Sequence, residues 1–193
     1  VLAVAVQHNT TLKSIDLSNN PLSTVSRYTG KDAYPMTGIT ALADAVKASS
    51  SLDAITLEGG KLPVDQIKGD KKVRMLDLSR KSLSYISSIF IGVLLRGNSN
   101  VNELILHSND LTPVGATFIV KQLMPSLKTL DIANIVEVED KKADKGGKGR
   151  PAGVQRTQLE IVPEQLEELW AAATTLGSIE KLTIDRDHLR DLK

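Results

Sequence analysis

The chain has 193 residues, of which 41% are hydrophobic and only 3% aromatic, and its formal net charge is +1. This length suffices for one domain with a sizeable, mostly aliphatic core, and the charge points to neither a nucleic-acid nor a membrane partner. There is no cysteine, which excludes disulfides, thiolate metal sites and a cysteine nucleophile. Because a cysteine-free chain fits a reducing compartment, we expect a cytoplasmic protein.

The first elements along the chain are a helix and a short strand. The opening VLAVAVQHN predicts the end of a helix. The next stretch, LKSIDLSNNPL at residues 12–22, alternates apolar residues and then places an asparagine and a leucine beyond the alternation. This pattern predicts a strand in which Ile15 and Leu17 face a core while Ser14 and Asp16 face solvent.

The same spacing of apolar residues returns along the chain. The further copies lie at residues 52–62, 73–83, 101–111, 127–132 and 179–189, with a candidate seventh copy at 159–166. Apolar residues at three- and four-residue spacing predict helices between the copies. These helices are expected over residues 40–48, 86–95, 115–123 and 164–176. A strand followed by a helix in each copy predicts parallel strands joined by helical crossovers.

This pattern resembles the leucine-rich repeat family, whose motif is LxxLxLxxNxL, and its long spacing is similar to the intracellular, ribonuclease-inhibitor-like class. The resemblance implies an α/β solenoid, a curved horseshoe arc with parallel strands on the concave face and helices on the convex face. Residues 1–193 would form a single domain of about six or seven repeats. Because neither end shows a polar cap, we expect the domain to be part of a longer array or to be covered by a partner at its ends.

The asparagine of the motif has a structural role in this family. It turns inward, and its amide bonds the backbone where the strand ends, which requires a donor and an acceptor together. Only Asn20 and Asn109 keep it here. The other copies have Gly60, Lys81, Ile135 and Asp187 at this position. We therefore expect the turns of those copies to be less regular.

Two segments, residues 23–37 and 137–153, interrupt the repeats. Each lies between a predicted strand and the helix that follows it, so we expect both to project from the same rim of the solenoid. The first contains Arg27, Tyr28 and Tyr34, residue types that are favoured at protein interfaces. The second interleaves acids, lysines and glycines without apolar periodicity, which predicts a charged loop. Each segment is either a tolerated surface insertion or part of a binding edge.

Each copy also places an acid on the predicted concave face. Strands about 4.8 Å apart lie within the screening length of about 8 Å at physiological salt, so these acids would form one acidic inner stripe. This stripe is either an ordinary solvated sheet face or a docking surface for a basic segment. The candidate partner-binding residues are Asp16, Glu58, Asp77, Glu103, His107, Asp131, Glu160 and Asp185 on the concave face, with Arg27, Tyr28 and Tyr34 on the rim.

The sequence shows no convincing catalytic, cofactor-binding or metal-binding arrangement. His107, Ser108 and Asp110 include the residue types of a catalytic triad, but they belong to a single repeat turn. Trp170 is expected to pack within a convex helix, and the longest apolar run, 89–95, is too short to span a bilayer.

The functional prediction is a non-enzymatic scaffold. It would need no cofactor and would bind a protein with a basic segment within a hetero-complex, rather than nucleic acid or the membrane interior. The alternative is a structural subunit held permanently in a large cytoskeletal or membrane-associated assembly.

Overall fold

The computed structural model describes residues 1–20, 22, 37–57, 60–123, 126–133 and 163–183, and within them short strands alternate with helices. The helices are α1 (Leu2–His8), α2 (Thr37–Ala48), α3 (Val64–Lys68), α4 (Tyr85–Leu95), α5 (Pro113–Val120) and α6 (Pro163–Thr175). The strands are β1 (Ser14–Asp16), β2 (Ala54–Leu57), β3 (Gly60–Pro63), β4 (Met75–Asp77), β5 (Glu103–Ile105), β6 (Thr129–Asp131) and β7 (Lys181–Thr183).

The described strands form two sheets. In the first sheet β1 pairs with β2 in parallel, and β2 pairs with β3 antiparallel. In the second sheet β4, β5, β6 and β7 pair in chain order, all in parallel. The prediction of parallel strands is therefore confirmed for β1–β2 and for the second sheet. The strand β3 was not predicted, and it runs antiparallel to β2. The expected single sheet is in fact two sheets, and the division lies between β3 and β4.

The antiparallel strand β3 occupies the stretch in which the repeat motif predicts a turn. Leu57 pairs with Gly60 and Thr56 with Lys61, so the chain reverses within two residues and runs back along β2. Leu62, the leucine that the motif places beyond the turn, is fully buried from this strand. The repeat thus fills its core with a hairpin and the short helix α3, which the sequence did not predict.

A single hydrophobic core underlies both sheets. Helices α1, α2, α4, α5 and α6 contact one another in this order. The strands contribute Ile55, Leu76, Leu104 and Leu130, each at most 1% exposed, to the same cluster. The helical layer is therefore continuous at the point where the sheet is divided.

The four helices predicted between the copies are confirmed, with boundaries shifted by at most three residues. Two begin at polar caps that satisfy otherwise free backbone donors. The Ser84 hydroxyl accepts from the N–H of Ile86 at 3.2 Å, and the Thr112 hydroxyl accepts from the N–H of Gly115 at 3.1 Å. Trp170 lies on α6 but is 45% exposed, so its predicted packing within the helical layer is wrong.

Two predictions about chain organisation fall largely outside the described residues. The segment at 137–153 and the strand of the candidate copy at 159–166 lie outside them, as does the segment at 23–37 apart from Thr37, which begins α2. The described part shows that β7 pairs directly with β6.

Gly60 lies where the two sheets approach each other. A Cβ atom at this position would be 2.5 Å from the backbone oxygen of Lys81 and 2.6 Å from Cδ2 of Leu83. Because the Lys81 backbone cannot rotate away, we expect Gly60→Ala to lower the free energy of unfolding by about 1–3 kcal/mol. Gly38→Ala is the control, since nothing lies within 4 Å of its Cβ position. Urea denaturation measures both, and equal effects would contradict the close approach of the sheets.

Candidate partner-binding face

Asn109 ties together the turns that support the second sheet. Its side chain is 6% exposed, and its amide nitrogen donates to the carbonyl oxygens of Leu78 and Leu106, both at 2.8 Å. Its amide oxygen accepts from the N–H groups of Lys81 at 3.0 Å and Leu83 at 3.1 Å. The inward role predicted for this asparagine is confirmed. The same side chain also bonds the backbone of the preceding turn, where Lys81 occupies the asparagine position of the motif.

Asn20 has a more local role. It is exposed, and its amide nitrogen donates to the carbonyl oxygens of Leu17 at 3.2 Å and Ser18 at 3.1 Å, both within its own turn. It makes backbone bonds where the strand ends, as predicted, but it does not join two repeats. The two asparagines therefore share a motif position and differ in how much backbone depends on them.

A second set of polar side chains, which was not predicted from the sequence, bonds the backbone just before the strands begin. Asn9, Ser49 and Asn98 each lie three residues before the first apolar residue of a copy. Their side-chain oxygens accept from the backbone N–H groups of the two residues that enter the strand, at 2.7–3.4 Å. Short polar side chains commonly bond the backbone a few residues ahead. The recurrence of a short polar residue three positions before each of these copies is the sequence signal that could have predicted these bonds.

The outward side chains of the second sheet form a regular array. Strand register and the hydrogen bonds of the following turns place the residues in three rows across β4, β5 and β6. The rows are Met75–Glu103–Thr129, Asp77–Ile105–Asp131 and Ser79–His107–Ala133. We call these nine residues the Ile105 face. Its central residue, Ile105, is half-buried.

Polar groups surround this apolar centre. Asp77 and Asp131 flank Ile105 on the neighbouring strands, each about 4.8 Å away across the sheet. Glu103 and His107 lie on either side of it along its own strand. Met75, at one corner, is 56% exposed. The face therefore combines three carboxylates and a histidine with exposed apolar surface, an arrangement suited to a cationic and partly apolar ligand.

The carboxylates of this face are available for a partner. Ion pairs elsewhere in the described chain use Asp44, Asp53, Asp70, Glu168 and Glu180. Among the described residues, no cation lies within 4.0 Å of Asp77, Glu103 or Asp131. One oxygen of Asp77 accepts from the N–H of Ser79 at 2.9 Å, and one of Asp131 accepts from that of Ala133 at 3.2 Å. Each of these two carboxylates thus keeps acceptor capacity for an incoming donor.

The hydrogen bonds at the strand ends also favour ionised carboxylates. The hydroxyl and backbone N–H of Ser79 hold the pKa of Asp77 below its usual range, with smaller contributions from His107 and Lys81. The hydroxyl and backbone N–H of Ser18 likewise lower the pKa of Asp16. Because ionisation strengthens these local bonds, the acids have a structural role in addition to any role in binding.

The lowered pKa of Asp77 gives a testable pH dependence. A depressed folded-state pKa stabilises the fold above the unfolded value of about 4, and this stabilisation is lost as the pH falls through the folded value. We expect Asp77→Asn, which keeps the acceptor, to be less stable than wild type at pH 7 and to approach wild type as the pH falls below the usual pKa of an aspartate, about 4. Thermal melts across this range measure the difference, and a gap that widens on acidification would contradict the assignment.

The predicted acidic stripe is only partly continuous. Asp77, Glu103, His107 and Asp131 lie together on the Ile105 face, whereas Asp16 lies in the first sheet. There Asp16 shares a row with Thr56 and the exposed Lys61 of β3, and Lys181 of β7 ends the acidic region on the other side. The described residues therefore bring four of the predicted members together and separate Asp16 from them, and one stripe along every copy stays a prediction. The remaining candidates, Glu58, Glu160, Asp185, Arg27, Tyr28 and Tyr34, lie outside the described residues.

Comparison with known proteins agrees with the repeat architecture. A family model for the leucine-rich repeat matches residues 8–25 and 97–120, two stretches that contain Asn20 and Asn109. A search of curated proteins finds no match to the chain. Among solved structures, the C-terminal domain of tropomodulin from Caenorhabditis elegans is 14% identical, with 98% of this chain and 88% of that chain covered and a TM-score of 0.42. The family model therefore identifies leucine-rich repeats in two stretches of the chain.

The described residues contain neither a candidate metal centre nor a candidate membrane-spanning helix. No group of three or more histidine or acidic side chains there is arranged to hold a metal ion. None of the helices in that part of the chain combines the length and hydropathy of a bilayer-spanning segment.

Proposed function

We propose that this chain is a non-catalytic protein-binding module of the ribonuclease-inhibitor-like class, and that it binds a basic segment of its partner on the Ile105 face. The observation that carries the proposal is a set of three carboxylates arranged around the half-buried Ile105, none of which has a cation within 4.0 Å among the described residues. Repeat proteins of this kind use the exposed surface of their stacked strands for binding. We further propose a cytoplasmic location and a hetero-complex.

The charge distribution favours a contact centred on the second sheet. Lys61 on one side and Lys181 on the other would repel a cationic segment that moved away from Asp77, Glu103 and Asp131. Carboxylates in such a region steer association and select the partner, while apolar side chains contribute most of the contact energy. Arg27, Tyr28 and Tyr34 on the rim, and the acids Asp16, Glu58, Glu160 and Asp185, stay candidate secondary contacts.

Affinity capture with nearly isosteric variants tests this proposal. The triple variant Asp77→Asn, Glu103→Gln, Asp131→Asn removes the charge of the Ile105 face and keeps the acceptors that bond Ser79 and Ala133. A control variant, Asp53→Asn, Glu168→Gln, Glu180→Gln, removes the same charge from exposed ion pairs elsewhere.

The two baits would be compared with wild type in native extract at low and high salt. We expect proteins with basic segments to be captured by wild type and the control but lost from the triple variant and at high salt. Loss from both variants alike would show an effect of net charge, and retention by both would exclude the Ile105 face.

The alternative of a permanent structural subunit has one observation in its favour. Leu2, Val4 and Leu12 are 46%, 60% and 39% exposed near β1. Obligate interfaces are larger and more apolar than transient ones. Capture that persists at high salt and is lost on Val4→Ser, but not on substitution in the Ile105 face, would favour this alternative.

A further inference from the structure

We propose that the partner segment is an amphipathic helix that lies across β4, β5 and β6. Its apolar residue would rest on Ile105, and basic residues one turn before and one turn after would reach Asp77 and Asp131. This inference rests on the proposed function, since it specifies which kind of basic segment the Ile105 face accepts.

The spacing across the strands matches a helix. Asp77 and Asp131 occupy one row on strands two apart, which corresponds to about 9.6 Å. Residues i and i+7 of an α-helix are about 10.5 Å apart along the axis, and residues i+3 and i+4 lie midway on the same face. In an extended segment, residues on one face recur at about 6.6 Å and 13 Å. Neither of these extended spacings matches the separation of Asp77 and Asp131 as closely as the helical spacing does.

The dimension along the strands also fits. Glu103 and His107 are four residues apart along β5 and the segment that follows it, a span of at most about 13 Å, and a helix with its side chains is about 10–12 Å wide. The helix can therefore rest on Ile105 between these two side chains. Small side chains at three corners of the face, Thr129, Ser79 and Ala133, leave the approach open.

The fourth corner supplies additional apolar contact. Met75 is 56% exposed and lies diagonally beside Ile105. Methionine adapts its shape to irregular surfaces, so it can cover the apolar residue of the helix from one side. An apolar residue flanked by two cations is complementary to an apolar centre flanked by two unpaired carboxylates.

The inference can be tested with a designed peptide and the ¹⁵N-labelled chain. The probe is an alanine-rich helix with Arg at i and i+7 and Leu at i+3 and i+4. A permuted peptide keeps both arginines and moves the leucines to the opposite face. An extended control keeps the Arg and Leu content but contains proline, which prevents the helix.

We expect the probe to shift amide resonances of β4, β5 and β6 and to bind at least about fivefold more tightly than the permuted peptide. Ile105→Thr, which keeps a β-branched side chain on the strand, should remove this difference between peptides. Circular dichroism of the variant would confirm that it is folded.

The other outcomes separate the helix from the basic segment. Equal binding of the probe and the permuted peptide, or tighter binding of the extended control, would overturn the helical partner and leave a basic-segment site intact. If none of the peptides shifts resonances of the Ile105 face, the proposed function fails as well.

Discussion

Asn109→Ala is expected to lower the free energy of unfolding by about 3–5 kcal/mol, because each buried polar group left unpaired costs roughly 1–3 kcal/mol. The substitution removes the acceptor of the N–H groups of Lys81 and Leu83 and the donor to the carbonyl oxygens of Leu78 and Leu106. These groups belong to two successive turns. The loss should therefore loosen the ends of both β4 and β5.

Asn20→Ala is the matched control for this prediction. It removes the same side chain from the same motif position, but Asn20 is exposed and bonds only its own turn, so we expect a cost below about 1 kcal/mol. Urea denaturation measures the equilibrium effect, and hydrogen exchange shows whether Leu78, Leu83 and Leu106 lose protection together. A cost for Asn109→Ala no larger than that for Asn20→Ala would show that the bonds between turns contribute little.

The role of Asn109 could be predicted because it depends on one side chain and one motif. An asparagine amide offers two N–H donors and a separate carbonyl acceptor in a short side chain, and the leucine spacing places it at the end of a strand. The helices were predictable for a similar reason, since their apolar spacing lies within each segment. What the sequence could not give was the connection from Asn109 to the preceding turn, which depends on how the repeats stack.

The hairpin of β2 and β3 was missed because its sequence satisfies two patterns at once. Leu57 and Leu62 fit the positions of the repeat leucines, but they also fit strands on either side of a two-residue loop that contains Gly59. Gly60, Lys61 and Leu62 alternate as in a strand, which fits the second strand of a hairpin. Family spacing favoured the first interpretation, and core packing of Leu62 favours the second.

The Ile105 face was also only partly predictable. The sequence identified Asp77, Glu103, His107 and Asp131 as outward residues, because alternation within a strand fixes the side of the sheet. Which of them become neighbours depends on pairing between strands. Only that pairing shows that Ile105 lies at the centre of the face, that Met75 is exposed and that Lys61 shares a row with Asp16.

Leu104→Ala should cost about 2–5 kcal/mol, because a fully buried leucine leaves a cavity that its surroundings fill only in part. Its neighbour Ile105 faces the opposite side of β5 and is half-buried. Ile105→Ala removes three carbons from a half-buried side chain and opens no enclosed cavity, so we expect at most about 1.5 kcal/mol.

Thermal and urea unfolding of these two variants would test the orientation of β5 directly. Similar losses of stability would contradict the assignment of Leu104 to the core and Ile105 to the exposed face. If the predicted difference is found, Ile105→Ala provides a folded protein in which the centre of the candidate site is altered. A loss of partner binding in that variant then reports on the surface, whereas a loss in Leu104→Ala reports on folding.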